Sequence, residues 1–135
     1  MTDQIYTIAI DFDRTLTVDH GFPDVGKIPR TWLIEKAIKW REDGHKLILW
    51  TCREDISPHE NCFWRPRRYL TEAVEWCKGF GLEFHAINQS IDEATNPNLK
   101  FGRKVFADFY IDDSAVCFND EDMSFNYFCK PLIIK

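Results

Sequence analysis

Four aspartates directly follow two segments that are predicted to form buried strands. They are Asp11, Asp13, Asp112 and Asp113. The first pair follows the apolar, β-branched run 5–10 and the second follows the mostly apolar run 105–111, as is typical of strands buried on both faces of a parallel sheet. Ligands bind such sheets beyond the carboxyl ends of the strands. The four carboxylates are therefore expected to meet in one crevice.

Crowded carboxylates favour a bound cation. Side chains two residues apart on an extended segment project to the same side, so Asp11 and Asp13 face the same crevice. Like charges this close raise one another's pKa unless a cation offsets them. An all-oxygen donor set with room for water suits Mg²⁺ better than zinc or copper. The sequence therefore predicts a magnesium site.

A carboxylate in such a site can also attack phosphorus and form an aspartyl-phosphate. Asp13 stands at the right offset from Asp11 to protonate the leaving alcohol and later to activate water. The hydroxyl of Thr51, directly after the apolar run 46–50, is expected to donate a hydrogen bond to a phosphoryl oxygen. Lys104, just before the run 105–111, would add positive charge there.

The segment Asp11-Phe-Asp13-Arg-Thr15-Leu16 closely resembles the first motif, DxDx[TV], of the haloacid dehalogenase (HAD) superfamily. Thr51 resembles its second motif and Lys104 its third. The pair at 112–113 resembles the double-acid form of its fourth, so the resemblance covers about residues 5–115.

The resemblance implies a role for each matching position. Asp11 is the nucleophile, Asp13 is the general acid and base, and Thr51 and Lys104 bind the phosphoryl group. Lys100 is the alternative to Lys104, because the start of a helix between them is uncertain from the sequence.

The resemblance also implies how the metal is held. Mg²⁺ would be bound by the Asp11 side chain, the backbone carbonyl of Asp13 and Asp113. Asp112 is either a further ligand or a hydrogen-bond partner of one, and the sequence leaves both open.

Three residues complete the predicted site as substrate-binding groups: Arg14, Thr15 and Arg53. Arg14 stands where many members of the superfamily have glycine, and its guanidinium can help to bind an anion. Neither the stretch 14–29 nor the stretch 88–102 can house a folded lid domain. The site is therefore expected to be open.

The elements that must position these residues alternate between strands and helices. Helical patterns cover 31–43 and 66–80, the remaining strands are predicted at 83–87 and 127–134, and a short helix is expected within 88–102. This alternation predicts an α/β fold, a three-layer doubly wound (Rossmann-like) parallel sheet. It would form a single domain over 1–135 without a cap.

The composition sets further bounds. A chain of 135 residues that is 44% hydrophobic has enough apolar surface for one core and excludes a disordered protein. A net charge of −5 gives no overall attraction to nucleic acid or to an anionic membrane surface. An odd number of cysteines, five, suits reduced thiols. With no apolar leader or spanning segment, the chain is predicted to be cytoplasmic.

The leading hypothesis is a phosphate monoester hydrolase. A small phosphorylated substrate such as a nucleotide or a sugar phosphate is favoured, and a nucleic-acid end and a phosphoprotein remain open as alternatives. Two other functions compete with it. One is a receiver-like signalling domain. The order of the motifs argues against it, because receivers carry their acidic pair after the first strand and their acceptor aspartate after the third, whereas here the first strand is followed by Asp11-Phe-Asp13-Arg-Thr15. The other is a metal-binding scaffold without turnover. A basic and aromatic cluster over 63–69 either contacts a nucleotide or is simply a cationic helix start, and the oligomeric state is open.

Overall fold

The computed structural model describes residues 4–60, 65–96, 98, 105–127 and 134. Its strands and helices follow one another along the chain as β1 (Thr7–Ile10), α1 (Thr31–Glu42), β2 (Lys46–Leu49), β3 (Asp55–Ile56), β4 (Arg67–Arg68), α2 (Tyr69–Gly79), β5 (Ala86–Ile87), α3 (Ile91–Thr95), β6 (Phe109–Ile111), β7 (Val116–Asn119) and β8 (Ser124–Tyr127). Among these residues no helix is both long enough and apolar enough to cross a membrane.

The centre of the fold is a four-stranded parallel sheet with the order β5-β2-β1-β6. The chain moves outward from β1 to β2 and β5, and then returns to the other side of β1 to form β6. Ile10 and Ile111, the last residues of β1 and β6, are register partners. The direction of winding therefore reverses between these two strands, which is where parallel α/β sheets bind ligands.

Side chains that alternate along the strands form a larger core cluster on one face of the sheet and a smaller one on the other. Ile8, Ile10, Leu47 and Leu49 belong to the larger core cluster, together with buried residues of α1 and α2 such as Trp40. The opposite face has a smaller cluster built on Ala9, Ile48, Ala86 and Val105, which is partly covered by Ile91 and Ala94 of α3. The predicted α/β class with a parallel sheet is confirmed. The finer three-layer, doubly wound description remains a prediction, as does the single domain over 1–135.

The element bounds agree with the sequence where local signals are strong. The helix predicted over 31–43 is found as Thr31–Glu42, and Gly44 follows it with a φ of 99°, a left-handed conformation that favours glycine. The helix predicted from Pro66 begins only at Tyr69, because Arg67–Arg68 pair with Asp55–Ile56 as an antiparallel ladder.

The antiparallel pair β7–β8 was not expected from the sequence. The predicted final strand over 127–134 overlaps it at Tyr127 only, and most of its remainder lies outside the described residues. The short helix expected within 88–102 is found as α3.

Candidate active site

Asp11 lies at the junction of the two central strands. Its backbone N–H donates to the carbonyl of Ile111 at 2.9 Å, so the pairing of β1 with β6 continues one residue past β1. The chain then enters a wide turn over Phe12–Leu16, which closes with a hydrogen bond from Thr17 N–H to the Phe12 carbonyl at 3.3 Å. Phe12 is fully buried and anchors this turn in the core. Asp11 and Asp13 are both half-buried.

The four aspartates predicted from the sequence interact electrostatically. Burial is the main cause that raises the pKa of Asp11, from 3.8 to about 7, and a backbone hydrogen bond from Phe12 opposes it. The carboxylates of Asp13, Asp112 and Asp113 raise the pKa of Asp11 further. Acidic side chains from the ends of β1 and β6 therefore share one region. The order of the strands along the sequence could not establish this proximity by itself.

The two aspartates after β6 have different surroundings. Asp112 Oδ1 accepts hydrogen bonds from the backbone N–H groups of Ser114 at 2.8 Å and Ala115 at 2.9 Å, so this oxygen stabilises its own turn. Asp113 is exposed. Within the described residues, no group of three or more His, Cys, Asp or Glu side chains has the spacing to hold a metal ion.

Arg53 forms a two-point ion pair with Asp13. Its Nε donates to Asp13 Oδ2 and its Nη2 to Asp13 Oδ1, each at 2.9 Å. The remaining donors reach the backbone carbonyls of Asp24 at 2.7 Å, Tyr69 at 3.4 Å and Pro23 at 3.5 Å. A guanidinium has five N–H donors, and all five are used within the protein. The substrate-binding role predicted for Arg53 stays a prediction, and its observed contacts are those of a group that holds Asp13.

Thr51 is held at the carboxyl end of β2 by Asn88. The backbone N–H of Thr51 donates to Asn88 Oδ1 at 2.8 Å, and Asn88 Nδ2 donates to the Arg53 carbonyl at 3.3 Å. The Thr51 hydroxyl oxygen accepts the Arg53 backbone N–H at 3.2 Å. No described residue accepts a hydrogen bond from the Thr51 hydroxyl, so among these residues its hydrogen is left for a ligand. Asn88 was missed from the sequence, although it directly follows β5 and the rule of searching strand ends would have found it.

Arg30 braces the turn that carries the first motif. Its Nη1 donates to the carbonyls of Thr15 at 2.8 Å and Arg14 at 3.0 Å, and its Nε reaches Asp120 Oδ1 in the β7–β8 turn at 2.9 Å. The guanidinium also stacks on Phe118, 3.9 Å from the ring centroid. No sequence signal distinguishes Arg30, because its partners lie in remote turns.

The other predicted substrate-binding residues differ in exposure. Thr15 is fully buried, and its hydroxyl has no hydrogen-bond partner among the described residues. Arg14 is exposed, and its φ of 60° is unusual for a residue other than glycine. Lys104 and its alternative Lys100 lie outside the described residues, as does Trp64 of the basic and aromatic cluster.

Comparison with known proteins gives one informative similarity. The chain resembles the solved structure of a conserved protein from Bacteroides thetaiotaomicron, with 35% sequence identity and a TM-score of 0.63. The match covers 82% of this chain and 77% of that protein, which is described only as conserved. No protein-family model matches the sequence, and no curated protein does.

Proposed function

We propose that this chain, which belongs to the same protein family as the conserved Bacteroides thetaiotaomicron protein, is a magnesium-dependent phosphatase that hydrolyses phosphate monoesters. The observation that carries the proposal is the convergence of four aspartates from the ends of β1 and β6, with the half-buried Asp11 among them. Membership of the HAD superfamily, a doubly wound domain without a cap and a cytoplasmic location belong to the same proposal.

The residues present fit a magnesium ion. The candidate donors are the Asp11 side chain, the Asp13 backbone carbonyl and the Asp113 side chain, and all are oxygens, as Mg²⁺ prefers. This donor set contains only two carboxylate side chains, and the rest are a backbone carbonyl and water. It is therefore compatible with the absence, among the described residues, of a group of three or more acidic, His or Cys side chains spaced to hold a metal. When bound, the ion supplies the positive charge that lets Asp11 stay ionised beside its acidic neighbours.

The proposed reaction has two displacements at phosphorus. A carboxylate oxygen of Asp11 attacks the phosphorus, the bond to the leaving oxygen breaks, and Asp13 donates a proton to that oxygen so that an alcohol departs. Asp13 then accepts a proton from a water molecule that attacks the aspartyl-phosphate. Phosphate leaves and the Asp11 carboxylate is restored. The Thr51 hydroxyl donates to a phosphoryl oxygen throughout, and Lys104 is the proposed cationic partner of that oxygen.

The substrate is proposed to be a small phosphorylated molecule such as a nucleotide or a sugar phosphate, with a nucleic-acid end as an alternative. The connection 18–29 and the short connection 50–54 between β2 and β3 lie beside the site, and neither is long enough to form a lid domain that would select one of these classes. A panel of phosphate monoesters from each class is therefore the appropriate first measurement.

The experiment measures phosphate release by the purified chain with and without Mg²⁺. We expect release that depends on Mg²⁺ and is abolished in Asp11→Asn, while Glu75→Gln, an exposed carboxyl on α2, leaves the rate unchanged. Reductive trapping of the acyl-phosphate should label Asp11. No release from any ester by protein that binds Mg²⁺ would leave only a non-catalytic metal-binding role. A label at another aspartate would favour a receiver-like phospho-acceptor.

A further inference from the structure

The guanidinium of Arg53 is a charged group that the described residues enclose almost completely beside the candidate site. Its side chain is 1% exposed, whereas the Asp13 side chain that it holds is 17% exposed. The guanidinium carbon lies 5.1 Å from the ring centroid of Phe12 and 5.1 Å from that of Phe22. Phe22 in turn stacks on Tyr69 with a centroid distance of 5.2 Å. The group therefore packs against two aromatic rings in addition to its hydrogen bonds.

This enclosure determines where the Asp13 carboxylate can point. A planar fork that engages both oxygens of a carboxylate restricts rotation of that carboxylate, which a single ammonium group cannot do. Arg53 occupies one acceptor site on each oxygen of Asp13. A carboxylate offers about four such sites. The partly exposed Asp13 therefore keeps acceptor positions for a substrate oxygen or water while its orientation is held.

The same guanidinium links Asp13 to two other segments. Its bonds to the carbonyls of Pro23 and Asp24 hold the loop that follows the first motif, and its bond to the Tyr69 carbonyl holds the start of α2. A second arginine, Arg67, joins Asp24 to Glu72 at the outside of this contact, at 2.8 Å and 2.7 Å, and no described contact joins it to Asp13. Arg67 is therefore a natural comparison residue.

We propose that Arg53 is the positioning residue for the general acid and base: it orients the Asp13 carboxylate for proton transfer to and from the reacting oxygens. The inference rests on the proposed phosphatase function. In this proposal Arg53, whose donors are occupied within the protein, acts through Asp13, in place of the direct substrate contact predicted from the sequence.

Leaving-group dependence separates this role from a merely structural one. A nitrophenolate leaves without a proton, whereas the alkoxide of an alkyl phosphate must be protonated as the bond to phosphorus breaks. The ratio kcat/KM reports steps up to formation of the aspartyl-phosphate and excludes its hydrolysis. Misplacement of Asp13 should therefore lower kcat/KM for alkyl phosphates far more than for nitrophenyl phosphate, while general loss of structure lowers both alike.

The experiment compares Arg53→Lys with Arg67→Lys on one alkyl and one nitrophenyl phosphate. Because positioned acid–base groups contribute at least about 100-fold, we expect Arg53→Lys to reduce the alkyl kcat/KM by about that factor relative to the nitrophenyl value. Asp13→Asn should show the same selectivity, and the double variant should lose little more. Arg67→Lys should change either value less than about fivefold, since partly exposed ion pairs contribute little.

Each other outcome would overturn the inference. If Arg53→Lys lowers kcat/KM equally on both esters, the role of Arg53 is only structural. If it leaves kcat/KM unchanged on both, Arg53 has no role in positioning Asp13. If circular dichroism shows that Arg53→Lys does not fold, Phe22→Leu is the deciding variant, because it removes one ring beside the guanidinium and keeps the arginine. A smaller loss of kcat/KM confined to the alkyl ester is then expected. An equal loss on both esters would contradict the positioning role. The two esters are taken from those that the wild type hydrolyses. A wild-type chain inactive across the whole panel of esters would defeat the phosphatase proposal itself, and this inference with it.

Discussion

Asp11 offers a test of the electrostatics of the site that needs no substrate. In the folded chain without magnesium, burial first and then the neighbouring aspartates raise its pKa from 3.8 to about 7. The folded state therefore binds more protons than the unfolded state between about pH 4 and pH 7. Stability is fully present below the unfolded pKa and is lost as the pH rises through the folded pKa.

The magnitude follows from the two pKa values. The interval from 3.8 to about 7, at about 1.4 kcal/mol per pH unit, corresponds to a loss of up to about 4 kcal/mol in the free energy of unfolding. Asn has nearly the same shape as Asp and does not titrate. The difference in free energy of unfolding between wild type and Asp11→Asn should therefore fall by up to this amount between pH 4 and pH 8.

Urea unfolding in the presence of a chelator, followed by tryptophan fluorescence, measures this difference at each pH. Trp40 is fully buried and reports on the main core. Added Mg²⁺ should restore stability to the wild type above pH 7 and give much less to Asp11→Asn, because the ion binds only the folded site. Glu75→Gln, which changes an exposed carboxyl on α2, serves as the matched control.

A flat difference across this pH range would refute the reasoning. It would mean that Asp11 is well solvated or that the aspartates after β6 lie too far away to affect it. The control Glu75→Gln retains Asp11. Its free energy of unfolding, measured relative to that of Asp11→Asn, should therefore fall with pH as much as that of the wild type does.

Substitutions at three further positions test the turns around the site by chemical unfolding. Arg14 has a φ of 60°, so Arg14→Gly should be about 1 kcal/mol more stable than Arg14→Ala, and equal stabilities would contradict the strained conformation. Asp55 accepts the N–H groups of Leu70 and Thr71 at the start of α2, so Asp55→Ala should cost about 1 kcal/mol, whereas a cost no greater than that of Glu54→Ala would exclude a capping role. Asp120→Ala removes the carboxylate that joins the β7–β8 turn to the buried Arg30, and should lower the free energy of unfolding by about 1 kcal/mol. The difference between wild type and variant should become smaller when both are measured in 1 M NaCl, because salt screens the ion pair.

Local sequence patterns were sufficient to predict the frame of the site. Buried parallel strands are continuous apolar runs, so the change to polar residues after Ile10 and after Ile111 marks their carboxyl ends directly. Helix α1 was equally readable, because Gly44 supplies a stop in the conformation that favours glycine. These features depend on neighbours in the chain. The chemistry assigned to Asp11 and its partners remains a prediction.

Contacts between distant segments could be decided only by the tertiary structure. Arg53 and Asp13 are 40 positions apart, and nothing in the sequence around either residue specifies the other as its partner. The late start of α2 has the same origin, since the pairing of Arg67–Arg68 with β3 overrides a helical pattern. The sequence by itself therefore determined which residues end the strands, because burial and backbone propensity act locally. Only the fold decided that β6 lies beside β1 and that a buried arginine pairs with Asp13, because strand order and ion pairing arise from packing between segments.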